Sequence, residues 1–267
     1  MKRTVTARIR AQTRAATSMV FSVAVARDAG YLGLEESLRV SVDGAQADLA
    51  EVPDFHGGVL HTLRVEAPST VELDYHAVVS GQGVMPSASD GDLIRYVRPS
   101  RYCESDRLLP TSYAEFGGMQ GVELLEAVRQ WVGSELQYVS GSSRPTDGAV
   151  ETLLARRGVC RDYAHLVISL LRAKDVPARL ASVYAPGLRP MDFHAVAEAW
   201  VDGQWHILDA TGLAPRASML RIATGRDASD TAFLSTVGGS LALNVLEVTA
   251  VVDELPVDRS GQSVQLR

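Results

Sequence analysis

A thiol nucleophile, an imidazole to move its proton and a carboxylate to orient the imidazole together make a covalent acyl-transfer centre. In this chain the residues that fit those roles are Cys160, His194 and Asp209. Cys160 follows Gly158-Val159 and opens a segment in which Ala164, Val167, Ile168 and Leu171 recur at helical spacing. A thiol at a helix N-terminus sits among unpaired backbone N–H groups at the positive end of the helix dipole. Both favour the thiolate, which is the nucleophilic form. Arg156, Arg157 and Arg161 add positive charge nearby. A cysteine taken alone in such a place is more often a packing residue, so its partners decide the reading.

The partners come from a hairpin. Asp202-Gly203 is a two-residue turn signal between Phe193–Val201 and Gln204–Leu208. Closing that turn pairs Val201 with Gln204, Trp200 with Trp205, Glu198 with Ile207 and Val196 with Asp209. His194 then lies opposite Thr211, with Asp209 as its diagonal neighbour. Side chains alternate with a period of two, so His194 and Asp209 are expected on one face. Diagonal Cβ atoms are roughly 7 Å apart, a gap that a histidine and a carboxylate bridge. Such a pair fixes the imidazole tautomer and leaves the other ring nitrogen free for a thiol proton. A histidine near an aspartate at a strand end is common, and the pair gains weight only beside a helix-opening cysteine.

The remaining candidates are weaker. His165 falls inside the Cys160 helix and reads as packing, and His206 should face away from Asp209. His56, His61 and His76 lie in the β-rich half. No HExxH, H-x-H or CxxC spacing occurs, so neither a metal nor another cofactor is expected. Cys103 and Cys160 are the only cysteines. Cys103 reads as a buried free thiol, while a disulfide or redox pair between the two is the lesser reading.

These side chains need a scaffold. Short β-rich runs at 5–9, 19–25, 37–42, 59–65 and 71–79 are separated by Asp43-Gly44, Gly57-Gly58 and Pro68-Ser69. That pattern predicts an N-terminal β-sandwich over residues 1–98. The segment RPSRYCESDRLLP, 98–110, carries neither period and reads as a connection. Val122, Leu125, Val128 and Val132 predict a helix. A shorter helix is expected over about 147–156, with Thr146 as N-cap. The Cys160 helix must stop before Pro177. Strands are expected again at 179–184, in the hairpin, at 221–223 and at 243–252. Helices followed by an antiparallel sheet give an α+β second domain over 99–267.

Composition narrows the class. With 46% hydrophobic and 22% charged residues, the 267-residue chain has ordinary globular usage. A net charge of −6 argues against nucleic acid or an anionic membrane as partner. The basic start MKRTVTARIR has no apolar run behind it, and the apolar stretch 233–252 is broken by Gly238, Gly239, Asn244 and Glu247. The cytoplasm is therefore the expected compartment.

At this point the residues resemble a known family. GVCRDYAHLVISLLRAKDVPARLASVY is similar to the nucleophile helix of bacterial transglutaminase-like proteins, a branch associated with cysteine proteases. DFHAVAEAWVDGQWHILDAT resembles that family's histidine strand, hairpin and aspartate. RPSRYCESD and ATGRDASD are similar to segments flanking the family's catalytic domain, so the likeness covers nearly the whole chain. It implies a papain-like fold with the nucleophile helix on an antiparallel sheet, and a Cys160–His194–Asp209 triad. The Cys160 N–H would be an oxyanion donor. The second donor stays open among Tyr102, Tyr138 and Tyr184, each of which also reads as a packing residue. The chain departs from the family with Asp209-Ala210-Thr211 where DPT is frequent, and with HAVAEAW after the histidine. The implied reaction is thiol-dependent hydrolysis of a peptide or amide bond in a protein or peptide substrate. Transamidation onto an amine, or a binding module that keeps the fold without turnover, are the alternatives.

Overall fold

The computed structural model describes residues 1–28, 30–258 and 263–267. Alternation builds its N-terminal strands. In β1 (Lys2–Thr13), Val5, Ala7, Ile9 and Ala11 are buried while Arg8 and Arg10 face solvent. β2 (Thr17–Phe21), β3 (Gly33–Val42), β4 (Ala45–Ala47), β5 (Ala50–Pro53), β6 (Val59–Val65) and β7 (Thr70–Ser80) follow. Asp43 and Gly44, with φ of 51° and 83°, form the expected two-residue turn between β3 and β4.

A helical stretch comes next. α1 (Asp90–Tyr96) is capped by Ser89, whose side chain accepts the Asp92 N–H while Asp92 reaches back to the Ser89 N–H. α2 (Leu109–Phe116) carries Pro110 in its first turn. α3 (Gly121–Glu135) buries Leu125, Val128 and Val132 of the predicted apolar face, but Val122 in its first turn is exposed and Leu124 is buried instead. The two-residue strand β8 (Gln137–Tyr138) precedes α4 (Ala149–Ala155), and β9 (Arg157–Gly158) leads into α5 (Cys160–Arg172). The remaining strands are β10 (Ala178–Tyr184), β11 (Phe193–Val201), β12 (Gln204–Leu208), β13 (Leu220–Gly225), β14 (Leu234–Val237) and β15 (Leu241–Val252).

The result is α+β. Two antiparallel sheets, ordered β15-β1-β7-β3-β4 and β14-β2-β6-β5, face each other over Val5, Ile9, Met19, Phe21, Leu63 and Leu73. A third antiparallel sheet, ordered β12-β11-β10-β13, carries α5. α5 is buried along almost its whole length, with Leu166, Val167, Leu170 and Leu171 set against Leu180, Ala197 and Ala199. A helix buried on this scale is held by its tertiary surroundings more than by propensity.

Two features depart from the sequence expectation. The strands at 234–252 fall in the stretch expected to belong to the second unit, yet β14 pairs with β2 and β15 pairs with β1 from Arg3↔Val252 to Thr13↔Leu241. The physical reason is edge coverage: β1 would otherwise present unpaired backbone groups, and Val248 and Ala250 complete the apolar face beside it. The sandwich and the third sheet also share a core. Tyr184, Leu220 and Ile222 join the sandwich cluster, and the Tyr184 hydroxyl donates to the Val23 carbonyl at 2.7 Å. The second departure is the N-cap of α4, which is Gly148 rather than Thr146. The Glu104 carboxylate, 45 residues upstream, accepts the Ala149 N–H at 2.8 Å instead.

A charged cluster lies inside this core. Glu198 on β11 accepts from Arg179 at 2.9 Å and from Arg221 at 2.7 and 2.8 Å, all three side chains being nearly or fully buried. The Arg179 guanidinium also stacks 3.7 Å from the Trp205 ring centroid.

Candidate active site

The hairpin that carries the imidazole closes as the sequence predicts. Asp202 and Gly203 take φ of 51° and 75°, and the register Val201↔Gln204, Trp200↔Trp205, Glu198↔Ile207 is the one the turn dictates. Pairing ends at Ala197↔Leu208, so Asp209 lies one residue past the end of β12. His194 and Asp209 nevertheless meet, with Nε2 and Oδ2 2.8 Å apart and both residues buried. The other carboxylate oxygen, Oδ1, accepts from the Thr211 N–H at 2.8 Å and its hydroxyl at 2.6 Å. Thr211 thus fixes the orientation of Asp209, and it does so from the departing residues Asp209-Ala210-Thr211.

Cys160 is the first residue of α5, as expected. The Asp162 carboxylate accepts the Val159 N–H at 2.8 Å, satisfying one orphan donor of the helix start. Gly158 is required by this approach: a Cβ there would lie 2.6 Å from the Asp162 Cβ. Cys160 is partly exposed and lines one cleft together with His194, Phe193 and Asp192.

The electrostatics tie the three residues together. Burial pushes the His194 imidazolium down, but the Asp209 carboxylate and the neighbouring Cys160 thiol outweigh it and hold His194 up to about 10. Burial likewise raises Asp209, and the imidazolium with the Thr211 donors overcomes that and keeps it below its ordinary value. Nδ1 of His194 is buried and lacks a partner of hydrogen-bond geometry. The thiol is therefore near enough to stabilise the imidazolium yet not aligned on Nδ1 in this arrangement. Since Nε2 is taken by Asp209, Nδ1 is the nitrogen that can receive a thiol proton.

The positive charge expected around Cys160 is largely spoken for. Arg156 is paired with Glu135, and Arg161 bonds Ser143, the Arg144 carbonyl and Asp162. Of the three tyrosines left open, Tyr184 is buried with its hydroxyl on Val23, and Tyr102 stacks on His165 at 5.3 Å. Tyr138 is the one beside Cys160. It pairs with Gly158, two residues before Cys160, and is half-exposed. Burial and the neighbouring Cys160 sulfur push its hydroxyl up to about 12.

The other sequence candidates serve the frame. Cys103 is fully buried and free, and burial pushes its thiol up to about 12. His165 is buried, accepts the Ala228 N–H at 3.1 Å, and is pushed by burial down to about 3. His206 bonds Ser263 and the Val201 carbonyl. The segments RPSRYCESD and ATGRDASD meet each other: the Tyr102 N–H donates to Asp227 at 3.0 Å, and Arg172 bridges the Arg98 and Arg226 carbonyls. Sequence reasoning did not find Thr211, Asp162 or Glu104, although an S/T two residues past the aspartate and an Asp at the third helical position are readable signals. Among the described residues no group of three or more His, Cys, Asp or Glu side chains could hold a metal ion, and no helix is long and apolar enough to cross a membrane.

Comparison with known proteins gives a consistent match. The sequence model of the transglutaminase-like superfamily matches residues 114–210, the stretch from α2 to just past Asp209. The crystal structure of a candidate cysteine protease from Cytophaga hutchinsonii superposes with a TM-score of 0.88 at 33% identity, covering 98% of this chain and 95% of that one. An uncharacterized protein of Mycobacterium leprae is 24% identical over 227 residues, covering 76% of this chain and 80% of its own. One from Mycobacterium tuberculosis is 34% identical over 124 residues, 41% of this chain and 40% of its own.

Proposed function

The chain belongs to the transglutaminase-like superfamily, and from that premise we propose that it transfers acyl groups through a thioester on Cys160. The observation that carries this reading is the buried 2.8 Å contact with Asp209 of His194, which itself lines the same cleft as Cys160. Cys160 attacks a carboxamide or peptide carbonyl as the thiolate of an ion pair whose proton His194 holds on Nδ1. A C–S bond forms, the C–N bond breaks, and the amine leaves with the proton from His194. Asp209 keeps the imidazole in the right tautomer and balances its charge. The Cys160 N–H supplies one donor to the oxyanion, and the Tyr138 hydroxyl beside it supplies the second. Water then takes the acyl group, with His194 as base. We favour hydrolysis of a peptide or amide bond over transfer to an amine, and the same centre serves either acceptor.

The test is mass analysis of peptides and glutamine amides after incubation with the protein, with and without an added amine. Hydrolysis, deamidation and crosslinking give different mass shifts. Cys160→Ala is expected to abolish every product, whereas Cys103→Ala lowers stability and keeps the chemistry. In parallel, a thiol-reactive probe should label Cys160 ahead of Cys103 and lose that selectivity in His194→Ala. Equal, slow labelling of both thiols would point to a non-catalytic module instead.

A further inference from the structure

The cleft in front of Cys160 has a wall that catalysis does not require. It encloses about 290 Å³, at the small end of ligand pockets, and is mostly apolar. Phe193 comes from β11, next to His194, and stacks on Phe233 with ring centroids 5.1 Å apart. Leu234 and Leu246 complete the wall, and both belong to the β-sandwich, on β14 and β15. Leu234 pairs with buried Phe21 and Leu246 with buried Ile9, so both point to the core side of their sheets. All four side chains pack against the sandwich core and are only partly buried. The pocket is thus an unsealed corner of the sandwich core that opens on the nucleophile.

Apolar surface left open in this way stays exposed to water at a free-energy cost. An occupant that brings its own apolar surface recovers that energy. The place limits what the occupant can be. The cleft has room for side chains rather than a folded segment, and Arg161 and Asp192 on its lining are polar. β14 and β15 are each the outermost strand of their sheet among the described residues, so their outer backbone groups are free to pair with an extended chain.

We propose that this corner is a specificity site that takes one bulky apolar side chain, aromatic or branched aliphatic, of an extended peptide, close to the carbonyl attacked by Cys160. The β-sandwich thereby reads the substrate, through two strands that come from the far end of the chain. The proposal rests on the acyl-transfer reading of Cys160.

The experiment uses tripeptides ending in an electrophilic ketone, each position in turn being Phe, Leu, Ser, Asp or Lys. Alkylation of Cys160 is followed by intact mass. Phe or Leu at one position is expected to label at least about 10-fold faster than Ser, Asp or Lys there. Phe233→Ala and Leu246→Ser should each remove most of that preference. Val251→Ser, on the exposed face of the same strand, should keep it. Equal rates for all peptides, with labelling still dependent on His194, would overturn the specificity site and leave the nucleophile standing. A preference that survives both Phe233→Ala and Leu246→Ser would also overturn it. Labelling indifferent to His194→Ala would sink the acyl-transfer reading, and the site with it.

Discussion

Replacing Asp209 with asparagine removes the charge that holds His194 protonated while keeping a side chain of nearly the same size. Burial disfavours the imidazolium, and Asp209 and the Cys160 thiol more than reverse this, moving His194 from 6.5 to about 10. At about 1.4 kcal/mol for each pH unit, that displacement is worth about 5 kcal/mol of net preference for the charged ring. Because burial pulls the other way, the partners together supply more than the net. Without the carboxylate, burial is expected to win much of the contest, and His194 should titrate at or below its ordinary value. The direct assay is NMR of the His194 Cε1–H correlation against pH in both proteins. The parent should keep an imidazolium signal until about pH 10, and Asp209→Asn should lose it several units lower. The raised value contributes stability that is fully present below pH 6.5 and is lost as pH rises through about 10. Asp209→Asn should therefore flatten the alkaline side of the stability profile as well as slow acyl transfer. A parent His194 that titrates near 6.5, or a variant with an unchanged titration, would refute the reasoning.

Three further outcomes follow from the same geometry. Glu198→Gln leaves Arg179 and Arg221 facing each other in the core, and should cost about 3–5 kcal/mol in urea unfolding. Glu198 itself is raised by burial and more strongly lowered by the two arginines, to about 2. Its contribution is present above pH 4.5 and should fade as pH drops towards 2 in an acid-unfolding titration. Gly158→Ala pushes a Cβ against Asp162, which caps the Cys160 helix, and should cost about 1–3 kcal/mol while slowing Cys160 alkylation. Tyr138→Phe should reduce kcat by about 10²–10³ with Cys160 still open to small alkylating reagents, and an unchanged kcat would remove Tyr138 from the oxyanion site.

The elements that carry the site are legible because their rules are local. A two-residue Asp-Gly turn admits one register, so the partners of Glu198 and Trp200 follow from counting outward from the turn. The Cys160 helix announces itself through its period and its start. α1 and α2 leave no such signal, because their seven and eight residues are too short for a period to stand out. The same holds for β4 and β5, at three and four residues. The cap of α4 differs from the expected one because the capping carboxylate belongs to a distant segment.

Sequence alone determined the register of the Asp202-Gly203 hairpin, where the Cys160 helix begins and that His194 and Asp209 lie close enough along the hairpin to meet. These follow from backbone geometry within a few residues. The tertiary structure decided what no local period encodes. It brought Cys160 to the hairpin, sent the strands at 234–252 back to the first sheets, and buried Glu198 between two arginines. Contacts of that kind join residues tens to hundreds of positions apart. They are selected by which edges and apolar faces remain to be covered once the local elements exist.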